Sequence, residues 1–575
     1  MTQKIAYLIT PVPLTVGITA HRDLCPDEMP LIVQAAESFL VSLREQFPHT
    51  PLRILCALAQ GGDQIIGQLA IEMGLELVVP IPFPLDEYRR DFSTPEAKQQ
   101  FDQLLAQASQ VIELPLAGNY SLQDLKSQSH ARDMQYANLG VYLSDRSQML
   151  MALWDGKSLK HPGGTSQVVH YHQFGQMRGV DGHFDRPSIL AEDDTDLVYH
   201  IVCSRQRENG TPAEGLTPGS TRMLITDPDR CQVETLPARY QQMIGRLGEY
   251  NCDGLSQDPL SLANPDFLPG WSASFKPGTG LDNIARHFFT SDGMASIYQR
   301  RYLTALKLLA LLGLAMTSAF IAYADLDQPL MIYGFLLGFG AGLGLAWLAG
   351  RNQWHRKYLD YRALAEGLRV QFYWGLAGVS GRHRNDFAHD NFLQKQDLEI
   401  GWIRNVMRHV GIADDMGDPQ IDLGEAINHW VGPDEHNGQL GFFLSRSRRM
   451  AKAAQRTRQI VRGCVWLSIV AASALAALQF AMDERLVQAL LVAIGLMSVG
   501  VAVRELYANK TAEAELSKQY AYMYRVFRDA RLKLDRAETD QEKRDILKVL
   551  GEAALDEHAE WIQRHRERPL EHGSI

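Results

Sequence analysis

Four stretches of the chain, at 308–324, 330–349, 463–482 and 486–503, contain no charged residue. Each is close to the roughly 20 residues that a helix needs to cross a hydrocarbon core. They come as two pairs joined by the short polar turns 325–329 and 483–485, which predicts two transmembrane hairpins. The N-terminal third has a different rhythm. Apolar, β-rich runs at Leu14–Ile18, Arg53–Leu58, Leu75–Pro80, Gln110–Glu113, Met149–Trp154 and Leu197–Cys203 alternate with helical patterns. Those patterns cover Met29–Phe47, Gln64–Met73, Pro95–Ala108 and Arg132–Ser147, and a further one opens near Val168. Such alternation predicts a doubly wound parallel sheet. The expected fold is an α/β doubly wound parallel sheet followed by an all-α membrane region with four transmembrane helices in two hairpins.

Charge at the flanks orients the hairpins. Arg300, Arg301 and Lys307 precede the first span, and Arg351, Arg356 and Lys357 follow the second. A basic stretch from Arg446 to Arg462 precedes the third, and Arg504 and Lys510 follow the fourth. The turns carry Asp325 and Asp327 in one case, and Asp483, Glu484 and Arg485 in the other. The positive-inside rule then places both termini and the middle segment in the cytoplasm, for a multi-pass protein of the inner (cytoplasmic) membrane. No ionisable residue lies mid-span, so the spans lack the proton relay or ion-coupling site of an active transporter.

Similar material follows each hairpin. One copy has Tyr358, Tyr361 and Arg362, then Glu399 and Trp402-Ile403-Arg404; the other has Tyr520, Tyr522, Tyr524 and Arg525, then Trp561-Ile562 and Arg564. Duplication of a two-span unit is the expectation, with amphipathic helices common to any hairpin as the simpler reading. The organisation is then 1–205, an α/β domain; 206–285, a linker with connecting helices; 286–410, a first two-span module; 411–445, a connecting segment; and 446–575, a second two-span module. Gly334, Gly338, Gly340, Gly342 and Gly344 set small residues four apart within the second span. That spacing lets helix backbones approach closely, within one hairpin, in an oligomer or at a pore wall.

Composition narrows the picture. The chain has 575 residues, and its mean hydropathy of −0.19 is low for a transporter. A net charge of −10 argues against broad nucleic-acid binding, which needs a basic footprint. Six scattered cysteines, Cys231 among them, include no CxxC pair and fit a reducing compartment without structural zinc. The first residues, with two prolines in an apolar stretch, read as a strand rather than a signal peptide.

Candidate chemistry gathers where strands end. After the first strand come Gly17, Thr19, His21 and Arg22; after the second come Gly61, Gly62 and Asp63; after Met149–Trp154 come Asp155, Gly156, Gly163, Gly164 and Thr165. Glycines at strand–helix junctions let backbone N–H groups approach an anion, and a helix N-terminus adds positive partial charge. Three such junctions on one sheet edge suit a nucleotide's phosphates and ribose, with Arg132 and Trp154 completing the pocket. His161, His170, His172 and His183 match no common metal spacing, and His383 and His389 read as an exposed loop.

These motifs, GITAHR, AQGGDQIIGQLA, RDMQYANLGVY, MLMALWDG and GGTSQVV, resemble the SLOG superfamily over roughly residues 12–205. The membrane half is similar to the two-span effector domains associated with SLOG proteins and with second-messenger synthases. The resemblance implies a Rossmann-like nucleotide sensor, with an NAD derivative or a cyclic nucleotide as signal. It further implies a homo-oligomeric membrane effector that opens or disrupts the bilayer, in anti-phage defence. One departure matters. SLOG hydrolases carry GG-x-GT-x-x-E, and here Val168 stands where the water-activating Glu would be. Valine cannot transfer a proton, which favours binding over turnover and leaves no catalytic residue assigned. Asp63 and Asp155 remain candidate bases for a membrane-anchored NAD or nucleotide hydrolase. The same organisation also suits a nucleotide-regulated channel without a defence role, a constitutive channel or an anchored scaffold.

Overall fold

A computed structural model describes residues 9–118, 120–127, 129–158, 161–177, 196–226, 232–256, 279–326, 328–379, 392, 400–410, 422–478 and 482–566. His183, Cys231, Asp327, His383, His389 and Glu399 lie outside the described residues. The chain divides into two compact units: 1–261 with 278–287 and 381–417, and 262–277 with 288–380 and 418–575.

The first unit is built on one eight-stranded sheet. Its strands are β1 (Leu14–Ala20), β2 (Leu52–Leu55), β3 (Glu76–Ile81), β4 (Gln110–Glu113), β5 (Met149–Trp154), β6 (Val198–Val202), β7 (Thr221–Leu224) and β8 (Gln232–Val233). They lie in the order β4-β3-β2-β1-β5-β6-β7-β8. The first six strands of that order run parallel, and β7 and β8 add antiparallel at one edge. The sheet therefore extends past the expected boundary at residue 205.

Helices α1 (Met29–Gln46), α2 (Gly62–Glu72), α3 (Leu85–Tyr88), α4 (Pro95–Leu105), α5 (Leu122–Ser127), α6 (Ser129–Asp145) and α7 (Thr165–Phe174) make the crossovers. Parallel strands covered on both faces read as continuous apolar runs, and six of the seven residues of β1 are buried. Leu55, Val78 and Ile112 pack under Leu139 and Leu143 of α6. Leu150, Ala152 and Val198 pack with Val168 and Val169 of α7. Helix α4 starts where Pro95 fixes φ and the Thr94 side chain accepts from Ala97 N–H. Helix α8 (Ala238–Ser256) latches the sheet through one side chain. Asn251 accepts from Val12 N–H at 2.8 Å and donates to the Val12 and His49 carbonyls at 3.0 and 2.9 Å.

Outgoing strands on either side of β1 reverse direction of travel, first toward β4 and then toward β6. Between β1 and β5 this leaves the topological switch point at which open α/β sheets bind ligands.

Among the described residues the second unit is all helical, and the first turns of the helix that enters it belong to the first unit. Its helices are α9 (Gly280–Asp325), α10 (Met331–Arg351), α11 (Trp354–Ala377), α13 (Leu423–Trp430), α14 (Gly438–Leu478), α15 (Glu484–Lys510), α16 (Glu513–Leu534) and α17 (Asp540–Arg566), while α12 (Gly401–Val410) belongs to the first unit. The module expected over 286–410 is thus split between units. Trp402 of α12 packs 5.5 Å from Tyr250 of α8, and His409 Nδ1 lies 3.0 Å from Arg53. Four helices, α9, α10, α14 and α15, contain apolar windows long enough to cross a membrane. Those windows are 11% buried in α9 and 0% buried in the other three, so the protein itself leaves them almost bare. Contiguous apolar surface on that scale needs hydrocarbon around it, and the chain reads as membrane-embedded.

Within the first hairpin a Cβ on Gly338 would lie 2.6 Å from Met316, and one on Gly334 would lie 3.8 Å from Ala319. Gly340, Gly342 and Gly344 face nothing within 4 Å. The glycine run is therefore used in part, for close packing of α10 on α9.

Both hairpins leave the apolar zone through the same backbone device. Gln353 (φ +50°) separates α10 from α11, and Ala512 (φ +51°) separates α15 from α16. The same 49 residues then lead to Trp402 and to Trp561. A left-handed conformation costs an L-residue roughly 1–2 kcal/mol, so its recurrence at matched positions supports duplication. In the second copy Arg504 Nη2 donates to Glu513 at 3.0 Å, and Thr457 donates to the same carboxylate at 2.9 Å, tying α14, α15 and α16. Ala512→Gly and Gln353→Gly are expected to keep or raise the melting temperature of the detergent-solubilised chain. Ala512→Val, β-branched at positive φ, is expected to lose about 1–2 kcal/mol. Equal losses from glycine and valine would show that the left-handed step is not what this position requires.

Candidate functional site

His21 continues β1 past its last residue, its N–H donating to the Leu153 carbonyl at 3.1 Å. That places its ring at the switch point. The His21 Nε2 atom lies 3.3 Å from Asp155 Oδ1, at the end of β5, with both side chains buried. Burial alone would raise the Asp155 carboxyl. The His21 side chain and the Lys157 N–H, 3.0 Å away, hold it below its ordinary value. Asp155 Oδ2 is buried without a hydrogen-bond partner. Trp154 turns its indole N–H to the Lys157 carbonyl at 3.1 Å and lies 5.1 Å from the His200 ring.

The loop after β2 is pressed against the loop after β1. A Cβ on Gly61 (φ +98°) would sit 2.2 Å from the Arg22 carbonyl, and one on Gly62 would sit 2.4 Å from the Ala20 Cβ. Gly62 N–H, the first of α2, donates to the His21 carbonyl at 3.1 Å. These glycines bring two loops together, and one of the N–H groups expected to hold phosphate is already used. Asp63 follows in the first turn of α2 and is buried. Burial pushes its carboxyl up to about 7, against the pull of the Ala59 N–H, Arg22 and the Ala20 N–H.

Helix α7 opens the other side. Gly164 is its N-cap, with Gln167 and Val168 N–H groups folding back to the Gly164 carbonyl at 2.8 and 3.1 Å. Thr165 is the first helical residue, and no acid occupies the first turn. Gly163 (φ +71°) lets this loop approach α6, where a Cβ would lie 2.6 Å from the Tyr136 Cβ. Tyr136 also carries the Arg22 guanidinium over its ring at 5.1 Å, and Arg22 is solvent-exposed. Asp63, Arg22, Tyr136 and the Gly163–Thr165 loop thus form one continuous wall.

Other expected residues have different surroundings. Gly17 lies inside β1, between Leu55 and Leu150, where a Cβ would meet Ser147 Oγ at 2.3 Å. Thr19 is buried one residue short of the end of that strand. Gly156 (φ +79°) passes under Leu216. Arg132 donates to Glu87 at 2.8 Å and to Asp91, and lies over the Phe83 ring at 4.5 Å. Its charge is consumed by two carboxylates. Val168 is a core residue packed on Leu150 and Ala152.

Tyr136, Asp91 and His200 were not singled out by sequence. Tyr136 hydroxyl donates to Asp91, the same acid that Arg132 holds. The only cue was its place four residues after Arg132 on one helix face. His200 is fully buried, which lowers it to about 4. Its Nδ1 accepts from Arg222 at 3.0 Å, so Nε2 carries the proton donated to the Trp154 carbonyl at 2.9 Å. His161, His170 and His172 face separate partners, namely Asp133, the Gln176 carbonyl and the Leu197 carbonyl.

The two helix N-termini are chemically unlike. An anion at α2 meets the Asp63 carboxyl, whereas the first turn of α7 carries no acid and has Arg22 on the same wall. Phosphate suits the α7 side, and hydroxyl donors suit Asp63. No protein-family model matches this chain, and no curated protein matches it.

Between about pH 4 and pH 7 the folded chain keeps a proton on Asp63 that the unfolded chain releases. Stability from this group therefore falls as pH rises through that window, by up to about 4 kcal/mol. Asp63→Asn is expected to remove the dependence. Hydrogen exchange over residues 59–72, corrected for intrinsic rates, should slow more in the variant at pH 8 than at pH 5. An unchanged difference would show that Asp63 is not the titrating group.

Proposed function

We propose that the chain is a membrane effector whose α/β unit binds a nucleotide-derived signal and controls the four-span module. The observation that carries this is the switch-point wall, which brings together the N-terminus of α7, with no acid in its first turn, Arg22 and the buried carboxyl of Asp63. A nucleotide presents that combination, phosphate at one end and hydroxyls at the other. The SLOG-like motifs and the bare apolar helices support the same reading, with an NAD derivative or cyclic nucleotide as ligand. The output is a pore or a disrupted bilayer in anti-phage defence. In this reading the basic flanks keep both termini in the cytoplasm, where the signal is made.

The full chain in dye-loaded liposomes should release dye only when an NAD-derived or cyclic nucleotide is added. Arg22→Glu should shift the required concentration upward at least tenfold. Absence of ligand-dependent release across those nucleotides would overturn the effector assignment, and release without any ligand would indicate a constitutive channel.

A second reading rests on the raised carboxyl of Asp63, because a general base works best with a pKa near the operating pH. As a hydrolase the chain would use ionised Asp63 to activate water. Turnover of NAD or a nucleotide would rise through about pH 7 and be lost in Asp63→Asn. A flat pH profile or an active variant would remove this reading.

A further inference from the structure

Away from the sheet, the helical unit encloses a cavity of about 340 Å³, within the size range of small-molecule sites. Its walls come from α9, α11, α13, α14, α16 and α17. Helices α9 and α14 continue into the first and third spans, and α11 and α16 follow the second and fourth. A ligand here would touch the extension of every span.

The cavity has an aromatic side and a charged side. Trp430, Phe442, Phe443 and Phe527 form the first, with Phe443 and Phe527 ring centroids 5.3 Å apart. On the charged side, Arg362 is used up by Asp292 at 2.7 Å and Glu366 at 2.6 Å. Two other guanidiniums are not. Arg369 gives Nη1 to Glu366 at 2.8 Å, but its Nε is buried without a partner, in a side chain nine-tenths buried. Arg446 lies over Phe442 at 5.3 Å, and no ion pair among the described residues involves it. Glu557 Oε1 is also buried and unpartnered. Burial, with Glu366 nearby, pushes that carboxyl up to about 7, so near neutrality it donates a hydrogen bond as readily as it repels an anion. His558 is held neutral by burial, at about 3.

The Arg369 Nε and the Arg446 guanidinium therefore seek an acceptor, and the opposite wall offers ring faces. We propose that this cavity is a second ligand site, for a small soluble organic anion with a flat ring. A phosphate on a heteroaromatic base and a carboxylate on an aromatic ring share that chemistry. A lipid headgroup is a poorer match for its charged wall. Asp292 and Arg446 precede their spans by about 16 residues, or roughly 25 Å of helix.

The site is independent of the one at the sheet edge, and the test separates them. Binding is measured on the full chain in detergent by tryptophan fluorescence and by hydrogen exchange over 288–299, 439–446 and 519–527. AMP and UMP probe the phosphate arm and indole-3-acetate the carboxylate arm; inorganic phosphate and adenosine lack the ring and the charge. At least one ringed anion should bind and protect all three segments, while neither control does. Arg446→Ala should weaken that binding at least tenfold, and Ala554→Phe, which fills the cavity without removing a charge, should abolish it. Arg22→Glu, at the sheet edge, should leave it unchanged. Failure of all the ringed anions to bind would overturn the proposal. So would binding that survives both cavity variants, or that is lost in Arg22→Glu.

Discussion

Apolar helix surface that the protein leaves bare is the constraint behind the rest of the helical unit. In hydrocarbon an unsatisfied backbone group costs several kcal/mol, so a span must stay helical until it has left the bilayer. Every change of direction is displaced to the polar side. There the chain turns with Asn352-Gln353 just past one span and Thr511-Ala512 past the other, each using a non-glycine residue at positive φ. Once past the break, α11 and α16 must bury their apolar faces against protein. They do so against each other's neighbours: Trp374 of α11 donates to the Leu547 carbonyl at 3.2 Å, over a position where only Gly551 leaves room. The cavity between them is what remains when six amphipathic helices meet with several long charged side chains among them.

At the sheet edge the governing fact is that a buried acid occupies one of two otherwise equivalent helix N-termini. A helix dipole attracts anions at either end-on position, but Asp63 already supplies a carboxyl to α2. That carboxyl is half-protonated near neutrality because burial outweighs Arg22 and two backbone donors. The same asymmetry separates binding from catalysis. The position where the SLOG resemblance would put a base holds Val168, committed to the core, whereas the acid with a base-like pKa follows the loop after β2. Any hydrolysis here would have to approach its substrate from the β2 side.

Much of the fold was legible because parallel strands buried on both faces give unbroken apolar runs; β5 starts and ends where its run does. Strands β7 and β8 were not, since short antiparallel edge strands carry neither a long run nor a crossover helix. Glycines were ambiguous in a specific way. Gly61, Gly62 and Gly163 read as a cradle for phosphate, yet the atoms they approach are Arg22, Ala20 and Tyr136. A glycine signals that something comes close; its sequence neighbours do not say what. Arg132 shows the same limit, because Glu87 and Asp91, which neutralise it, lie more than 40 residues away.

The two copies of the hairpin module have diverged in the part that would make them symmetric. Trp402-Ile403 ends the first copy inside the α/β unit, beside Tyr250, while Trp561-Ile562 ends the second at the wall of the helical cavity. Arg362 and Glu366 pair in α11, but the residues 159 positions later are Ala521 and Arg525. The helices α11 and α16 therefore do not present equivalent side chains to the cavity. A ligand biases a two-state element only through contacts that differ between its states. Unequal copies sharing one charged cavity provide such contacts: closing on an anion would engage the free Nε of Arg369 and the guanidinium of Arg446, from two helices that serve different spans, while the Arg369–Glu366 pair stays in place.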